Sequence, residues 1–338
     1  MGVRINKDYI LWALISIPVM VGVFLITLAG INSPKYIPAT ASSGAPPKAG
    51  AKNIVAVLVD KPVFKTPEIV KAVYLTSNSG ASDKKIDWLI NLAKNSDLNS
   101  VVVDVKDFSG YIAYDSAVVD AEKYNTERII IKDIDALIKK LHDGGIYIIA
   151  RMTVFQDPAL VKARPDWAVQ NRYTKRPWQD RKGLSWIDPT CRECWNYYTS
   201  IAKDALARGF DEINLDYIRF PSDGDMSAIV YSPRDGSPEL SHATVVRPKV
   251  LNEFFKYMRS EIRDGKMSAD LFGFVTTRTE DFGVGQVMED AFEYFDYISP
   301  MVYPSHYPNN FLGYPNPAAE PYGVVSHAMK SAGERLKI

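Results

Sequence analysis

The chain has 338 residues, 40 basic and 40 acidic side chains, and a hydrophobic fraction of 46%. This balance excludes the clustered positive charge of a nucleic-acid-binding surface and leaves an ordinary globular composition. The 19 Tyr and 6 Trp serve mainly as core, while those on loops suit stacking against sugar rings.

Tyr9 to Ile31 is an uncharged run of 23 residues, long enough to cross a bilayer as a helix. Pro18 within it is tolerated in a membrane helix. Arg4 and Lys7 precede the span and Lys35 follows it, which puts residues 1–8 in the cytoplasm. A cleaved signal peptide is the rival reading, because Leu28-Ala29-Gly30 offers small residues, but the apolar run exceeds a usual signal core. The expected location is therefore a single-pass attachment to the cell membrane with the domain on the extracytoplasmic side, or secretion if the segment is cleaved. Residues 32–53, rich in Pro, Ala, Ser and Gly, form a flexible tether. Residues 54–338 form one domain, which opens on the short apolar run IVAVLV at 54–59.

From there strands and helices alternate. Ala72–Thr76 reads as a strand. A helix capped by Ser82 or Asp83 follows, with Ile86, Leu89, Ile90 and Ala93 on one stripe. Ser100–Lys106 is a second strand, and a helix from Lys132 ends at Gly144-Gly145. Ile146–Val154 is the third strand. After a long loop comes a helix at 191–208, then the fourth strand within GFDEINLDYIRFPSDG. A helix at 248–264, a fifth strand at Leu271–Thr277, a helix at 286–295, a sixth strand at Tyr297–Tyr303 and a last helix complete the order.

Strands of this kind joined by helices imply parallel βαβ units. A doubly wound sheet competes, but no G-x-G-x-x-G follows a strand and no phosphate loop is present. Polar residues recur at strand ends (Asp104, Arg151, Asp216, Tyr303), which suits a (β/α)8 TIM barrel with its site at the C-terminal rim. Six strands are counted where a closed barrel has eight, so the expectation is a barrel truncated at its C-terminal end.

The most informative stretch is the fourth strand. Ile213, Leu215 and Tyr217 alternate with Asn214, Asp216 and Ile218, and a period of two sends the sets to opposite faces. A carboxylate in a buried strand is costly unless it is paired or used, so Asp216 is read either as a structural ion-pair member or as a functional group at the barrel mouth. In the second strand Val102, Asp104 and Lys106 share a face, pointing either to an internal salt bridge or to substrate contact. Arg151 and Arg219 stand where each can hold Asp216 ionised. The loop from Gln156 to Pro189 carries Trp167, Trp178 and Trp186, which either offer rings to a sugar or pack into a small core of their own.

No cofactor or metal is called for. Cys191 and Cys194 form a lone C-x-x-C, the four His (142, 242, 306, 327) lack metal spacing, and the zinc reading needs two further ligands. A local disulfide is the alternative for an exported chain. No serine nucleophile elbow and no H-E-x-x-H occur.

The stretches NSVVVDVKDFSG, FDEINLDYIRFPSDG and YISPMVYPSHY resemble a bacterial family of glycoside-hydrolase-like domains built on a TIM barrel, and the likeness runs from about Val70 to the end. It implies carbohydrate hydrolysis at the barrel mouth and a polysaccharide or oligosaccharide partner. A more distant resemblance is to the chitinase type, with D-x-x-D-x-D-x-E on the fourth strand and M-x-Y-D on the sixth. The aligned positions here are Asp211, Asn214, Asp216 and Ile218, then Met301, Tyr303 and Pro304. Ile218 replaces the catalytic Glu, so the resemblance transfers Asp216 but not the substrate-assisted mechanism.

A glycosidase needs two carboxylates. Asp216 is expected to be one, and Glu280, just past the fifth strand, is the candidate for the other. Glu280 as a solvated loop charge and an acid on a seventh strand are the alternatives. Asp104, Lys106, Arg151, Asn214, Arg219, Trp186, Tyr303 and His306 are expected to bind substrate. The competing function is a non-catalytic carbohydrate-binding barrel tethered at the cell surface.

Overall fold

The computed structural model describes residues 23–24, 64–233 and 237–337. The predicted membrane segment, the tether and the run at 54–59 lie outside the described residues. The exception is Val23–Phe24, a two-residue strand antiparallel to Lys71 and Ala72. Among the described residues no helix is long and apolar enough to cross a membrane.

Six parallel strands stand side by side in the order of the sequence: β1 (Lys71–Leu75), β2 (Ser100–Lys106), β3 (Tyr147–Thr153), β4 (Glu212–Asp216), β5 (Lys266–Phe272) and β6 (Tyr297–Met301). Six helices follow them: α1 (Asp83–Lys94), α2 (Ile134–Asp143), α3 (Arg192–Arg208), α4 (Arg247–Glu261), α5 (Met288–Phe292) and α6 (Pro321–Arg335). This is the α/β order of six consecutive units of a TIM barrel, and among the described residues the sheet is an open half-barrel rather than a closed ring.

The strands explain the two-sided burial. All seven residues of SVVVDVK in β2 are buried, as expected of a β-branched strand covered on both faces. The main core lies between the outer face of the sheet and the helices, with Ile148, Ala150, Ile213, Leu215, Met267 and Ala269 meeting Ile201, Ala202, Leu251 and Phe255. A smaller apolar cluster of Val70, Ala72, Val102, Tyr147 and Ile149 lines the inner face near its floor. Asp133 caps α2 by accepting the Ala136 N–H at 2.8 Å.

Two elements depart from the sequence reading. The fifth strand is Lys266–Phe272, not 271–277, and Gly273–Thr276 is a single 3-10 turn. The apolar residues 271–275 suggest a strand, but Gly273 is pressed against β6, where an added Cβ would stand 2.6 Å from the Met301 carbonyl. The helix expected at 286–295 is confined to Met288–Phe292.

Lys106 is the second correction. The pairing of β2 with β3 passes from Asp104↔Arg151 to Lys106↔Met152, so one residue is bulged out between them. Lys106 thereby leaves the face of Asp104 and turns outward with Met152. There it is fully buried, 2.9 Å from Asp157 Oδ2 and donating to the Thr153 carbonyl at 2.9 Å. Asp157 also accepts the Leu160 N–H and the Tyr198 hydroxyl, which ties the long β3–α3 loop to the sheet. Gly110 must be glycine here: its φ is +84° and a Cβ would stand 2.1 Å from Asp157 Oδ1.

Removing one partner of such a buried pair leaves an uncompensated charge. Lys106→Met is expected to lower unfolding stability by about 3–5 kcal/mol, and adding Asp157→Asn should restore a large part of it. Urea unfolding of the single and double variants measures both effects.

Candidate active site

The inner face of the sheet turns polar towards the C-terminal ends of the strands. Period-two alternation points Glu212, Asn214 and Asp216 of β4 inward, along with Ser268 and Asp270 of β5. Leu215 pairs with Ala269 at the top of the β4–β5 ladder, so Asp216 and Asp270 are the next residues up on neighbouring strands.

Arg151 of β3 reaches into this group. One Nη donates to Asp104 Oδ1 at 2.5 Å, the other donates to Asp216 Oδ2, and Nε lies 3.9 Å from Asp270 Oδ2. Burial alone disfavours its charge, but Asp216, Asp104 and Asp270 together hold its pKa well above the ordinary arginine value. Behind it the Tyr74 hydroxyl donates to the other oxygen of Asp104. Burial raises the pKa of Asp104 against the pull of Arg151.

Asp216 Oδ1 accepts the N–H of Tyr217 at 2.6 Å. Tyr217 has φ +53°, a left-handed conformation that costs a residue with a Cβ about 1–2 kcal/mol. That turn ends β4 and swings Tyr217 and Arg219 to the mouth of the cleft, away from the helices where alternation would have sent Tyr217. Strain of this kind concentrates at functional sites.

Asp270 accepts from Asn214 Nδ2 at 2.9 Å, and 16% of its side chain is exposed. Burial and the charge of Asp216 push its pKa up to about 7. Deeper in, Glu212 is fully buried and accepts the Tyr147 hydroxyl at 3.0 Å. Burial pushes its pKa up to about 7 as well.

These groups open into a cleft of about 520 Å³. Val102, Ile149 and Glu212 form its floor. Phe272, Phe274, Met301, Tyr303 and Tyr307 stand along it, with Tyr217, Arg219 and His306 also on the lining. Among the described residues no group of three or more His, Cys, Asp or Glu is arranged to hold a metal ion; the aspartates converge on Arg151 instead.

Of the residues singled out in the sequence, Asp216, Arg151, Asn214, Arg219, Tyr303 and His306 line the cleft. Asp104 sits behind Arg151. Lys106 is on the other face, as described above. Trp186 is fully buried, donating to Asp180 at 3.2 Å and lying under the Arg219 guanidinium, so its ring offers no face to a sugar. Trp167 and Trp178 are buried too, and all three rings join the main core rather than a separate one of the loop's own. Glu280 is exposed beyond the turn after β5 and is not among the cleft-lining residues. Asp270 is the acid that the misplaced fifth strand hid. Its signal was the alternation in KMSADLF, where Ser268 and Asp270 interrupt Met267, Ala269 and Leu271 as Asn214 and Asp216 do in β4.

Fold and site together define a TIM-barrel-type α/β domain with an acid site at the strand ends. The chain belongs to the family described as "Putative glycosyl hydrolase domain", whose model matches residues 72–338. A crystal structure of a hypothetical protein from Ruminiclostridium thermocellum ATCC 27405 is 32% identical to it, with 58% of this chain and 96% of that one covered and a TM-score of 0.51. A dextranase from Flavobacterium johnsoniae is similar at 10% identity over 59% of this chain and 25% of its own, with a TM-score of 0.41. An alpha-galactosidase from Thermus thermophilus is similar at 12% identity over 61% and 41%, with a TM-score of 0.40. No curated protein matches the chain.

Two titrations test this description. Because the charge of Asp216 contributes to the raised pKa of Asp270, Asp216→Asn should lower that pKa, as read by carboxyl-carbon NMR. Glu212 binds its proton more tightly when folded, from an ordinary 4.5 to about 7. Its contribution to stability is therefore full below pH 4.5 and lost as pH rises through about 7. Glu212→Gln should flatten that fall when unfolding free energy is measured across the same interval.

Proposed function

We propose that the domain is a retaining glycoside hydrolase acting on an oligosaccharide or polysaccharide, with Asp216 as nucleophile and Asp270 as acid and base. The observation that carries this reading is the pair itself: two carboxyl groups on adjacent parallel strands, one held by Arg151 and a backbone N–H, the other by Asn214 with only a long contact to Arg151. Neighbouring strands are ~4.8 Å apart, which fits the ~5–5.5 Å carboxyl spacing of retaining enzymes better than the wider gap of inverting ones.

The roles follow from the surroundings. Asp216 accepts from Arg151 on one oxygen and from the Tyr217 N–H on the other, which fixes the carboxylate on the cleft wall. Asp270, with a pKa of about 7, carries a proton over much of the neutral range. In the first step Asp270 gives that proton to the glycosidic oxygen while Asp216 attacks the anomeric carbon. The C–O bond to the leaving sugar breaks, and a glycosyl ester forms on Asp216. In the second step the Asp270 carboxylate takes a proton from water, which attacks the same carbon and releases Asp216.

Asn214 and Arg151 hold the two acids in place, and Tyr303 and His306 are placed to meet sugar hydroxyls. An extracytoplasmic location, anchored through residues 9–31, is part of the proposal. It is supported by the Cys191–Cys194 disulfide at the start of α3, since such bonds persist mainly in oxidising compartments.

Asp270→Asn is expected to reduce kcat by roughly 10²–10⁴-fold, and Asp216→Asn to abolish turnover, with folding intact. Glu280→Gln should leave turnover unchanged. The wild-type rate should fall as pH rises through about 7, as Asp270 deprotonates. NMR of the first-formed product should show the anomer of the substrate; the opposite anomer, or undiminished hydrolysis by Asp216→Asn, would overturn the assignment.

A further inference from the structure

The cationic centre of the cleft, Arg151, is saturated with carboxylates, whereas the cation at its mouth is not. Arg219 forms no ion pair among the described residues. Its Nη1 donates to the Phe220 carbonyl at 3.1 Å and to Ser222 Oγ at 3.0 Å. The guanidinium lies among aromatic rings, 4.9 Å from the Trp186 centroid, 5.3 Å from Tyr217 and 5.8 Å from Phe272. Among the described residues Nε and Nη2 have no hydrogen-bond partner, and the residue lines the same cleft as Asp216 and Asp270.

Arg219 is half-buried in the cleft wall, and burial lowers its pKa from the ordinary value despite the nearby charge of Asp216. A guanidinium nonetheless stays charged at neutral pH, so a positive charge stands in a partly desolvated wall with one edge unused. A charge partly withdrawn from water gains from a counter-ion, and an incoming anion supplies one. The free edge has two N–H groups in the fixed fork that matches the two oxygens of a carboxylate. A phosphate dianion fits less well, because Asp216 and Asp270 stand close by and, among the described residues lining the cleft, Arg219 is the one arginine or lysine outside an ion pair to offset two charges.

We propose that Arg219 is a carboxylate-binding fork and that the sugar unit entering this cleft is a uronic acid. Trp186 and Tyr217 fix the plane of the fork, Ser222 and the Phe220 carbonyl fix its roll, and the sugar carboxylate takes the remaining edge. The left-handed turn at Tyr217 has a second consequence here: it carries the fork from the outer face of β4 to the mouth of the cleft. The inference rests on the hydrolase reading for the nature of the ligand, a sugar, but its test does not depend on turnover.

The test uses paired 4-nitrophenyl glycosides, glucuronide against glucoside and galacturonide against galactoside in both anomers, titrated into the protein and followed by NMR. Uronides are expected to bind at least about tenfold tighter than the matching neutral glycosides, as a charge-assisted contact provides. That advantage should shrink with added salt. Arg219→Gln should remove it while leaving affinity for the neutral glycosides in place. Arg219→Lys, which keeps the charge but not the fork, should retain only part, and it stands in for the Gln variant if that variant does not fold. Equal affinity for the two classes, no uronide binding at all, or a preference that survives both variants overturns the proposal. Uronide binding without release of nitrophenol leaves Arg219 assigned and removes the hydrolase reading. Turnover of neutral glycosides as fast as uronides does the reverse.

Discussion

The site depends on one shared counter-ion. Asp104, Asp216 and Asp270 come from three strands and converge at the cleft, where ionising all three at once would set like charges against one another. Arg151 sits among them and contacts all three. Its planar fork suits this task better than a lysine would, because two of the contacts are directional and lie in one plane. With Asp104 engaged by both Arg151 and Tyr74, the guanidinium is fixed from behind. Asp270 receives only a long contact from Arg151, and burial together with the charge of Asp216 pushes its pKa up. A buried ion pair adds little net stability, so the clamp is better understood as a placement device than as a source of folding energy.

The sheet makes that placement possible by sorting charge to two faces. Asp104 and Lys106 are two residues apart, and regular alternation would put both inside. The bulge between them sends Lys106 out to Asp157 and leaves Asp104 to Arg151. The inward group thus keeps its excess of acid, and the outward lysine fastens the loop that holds Trp186 beneath Arg219. One irregularity in β2 therefore acts on both walls of the site.

Much of this was legible in the sequence. Strands β1 to β4 and the helices between them are marked by β-branched runs, 3.6-residue stripes and glycine stops, and Asp216 and Arg151 announce themselves as charges in otherwise apolar strands. The parts that were not legible have physical causes. Asp270 was hidden because its strand opens on Lys266 and the apolar run at 271–275 masks the alternation before it. Lys106 was misassigned because a bulge leaves no trace in the pattern of residue types. Trp186 was read as a platform because composition does not say whether a ring on a loop faces the site or the main core. Glu280 lies close in sequence to the end of β5, but the tight turn at Gly273–Thr276 carries the chain away from the cleft.

The position of the two acids on adjoining strands bears on how such a domain can diversify. Their spacing is set by backbone hydrogen bonds within the sheet, which insertions in the surface connections do not touch. The long segments after β3 and β4, and the turns after β5 and β6, can therefore lengthen, shorten or exchange residues and so change which glycan is admitted. The placement of the two acids is inherited from the ladder beneath them, and selection can act on one without disturbing the other.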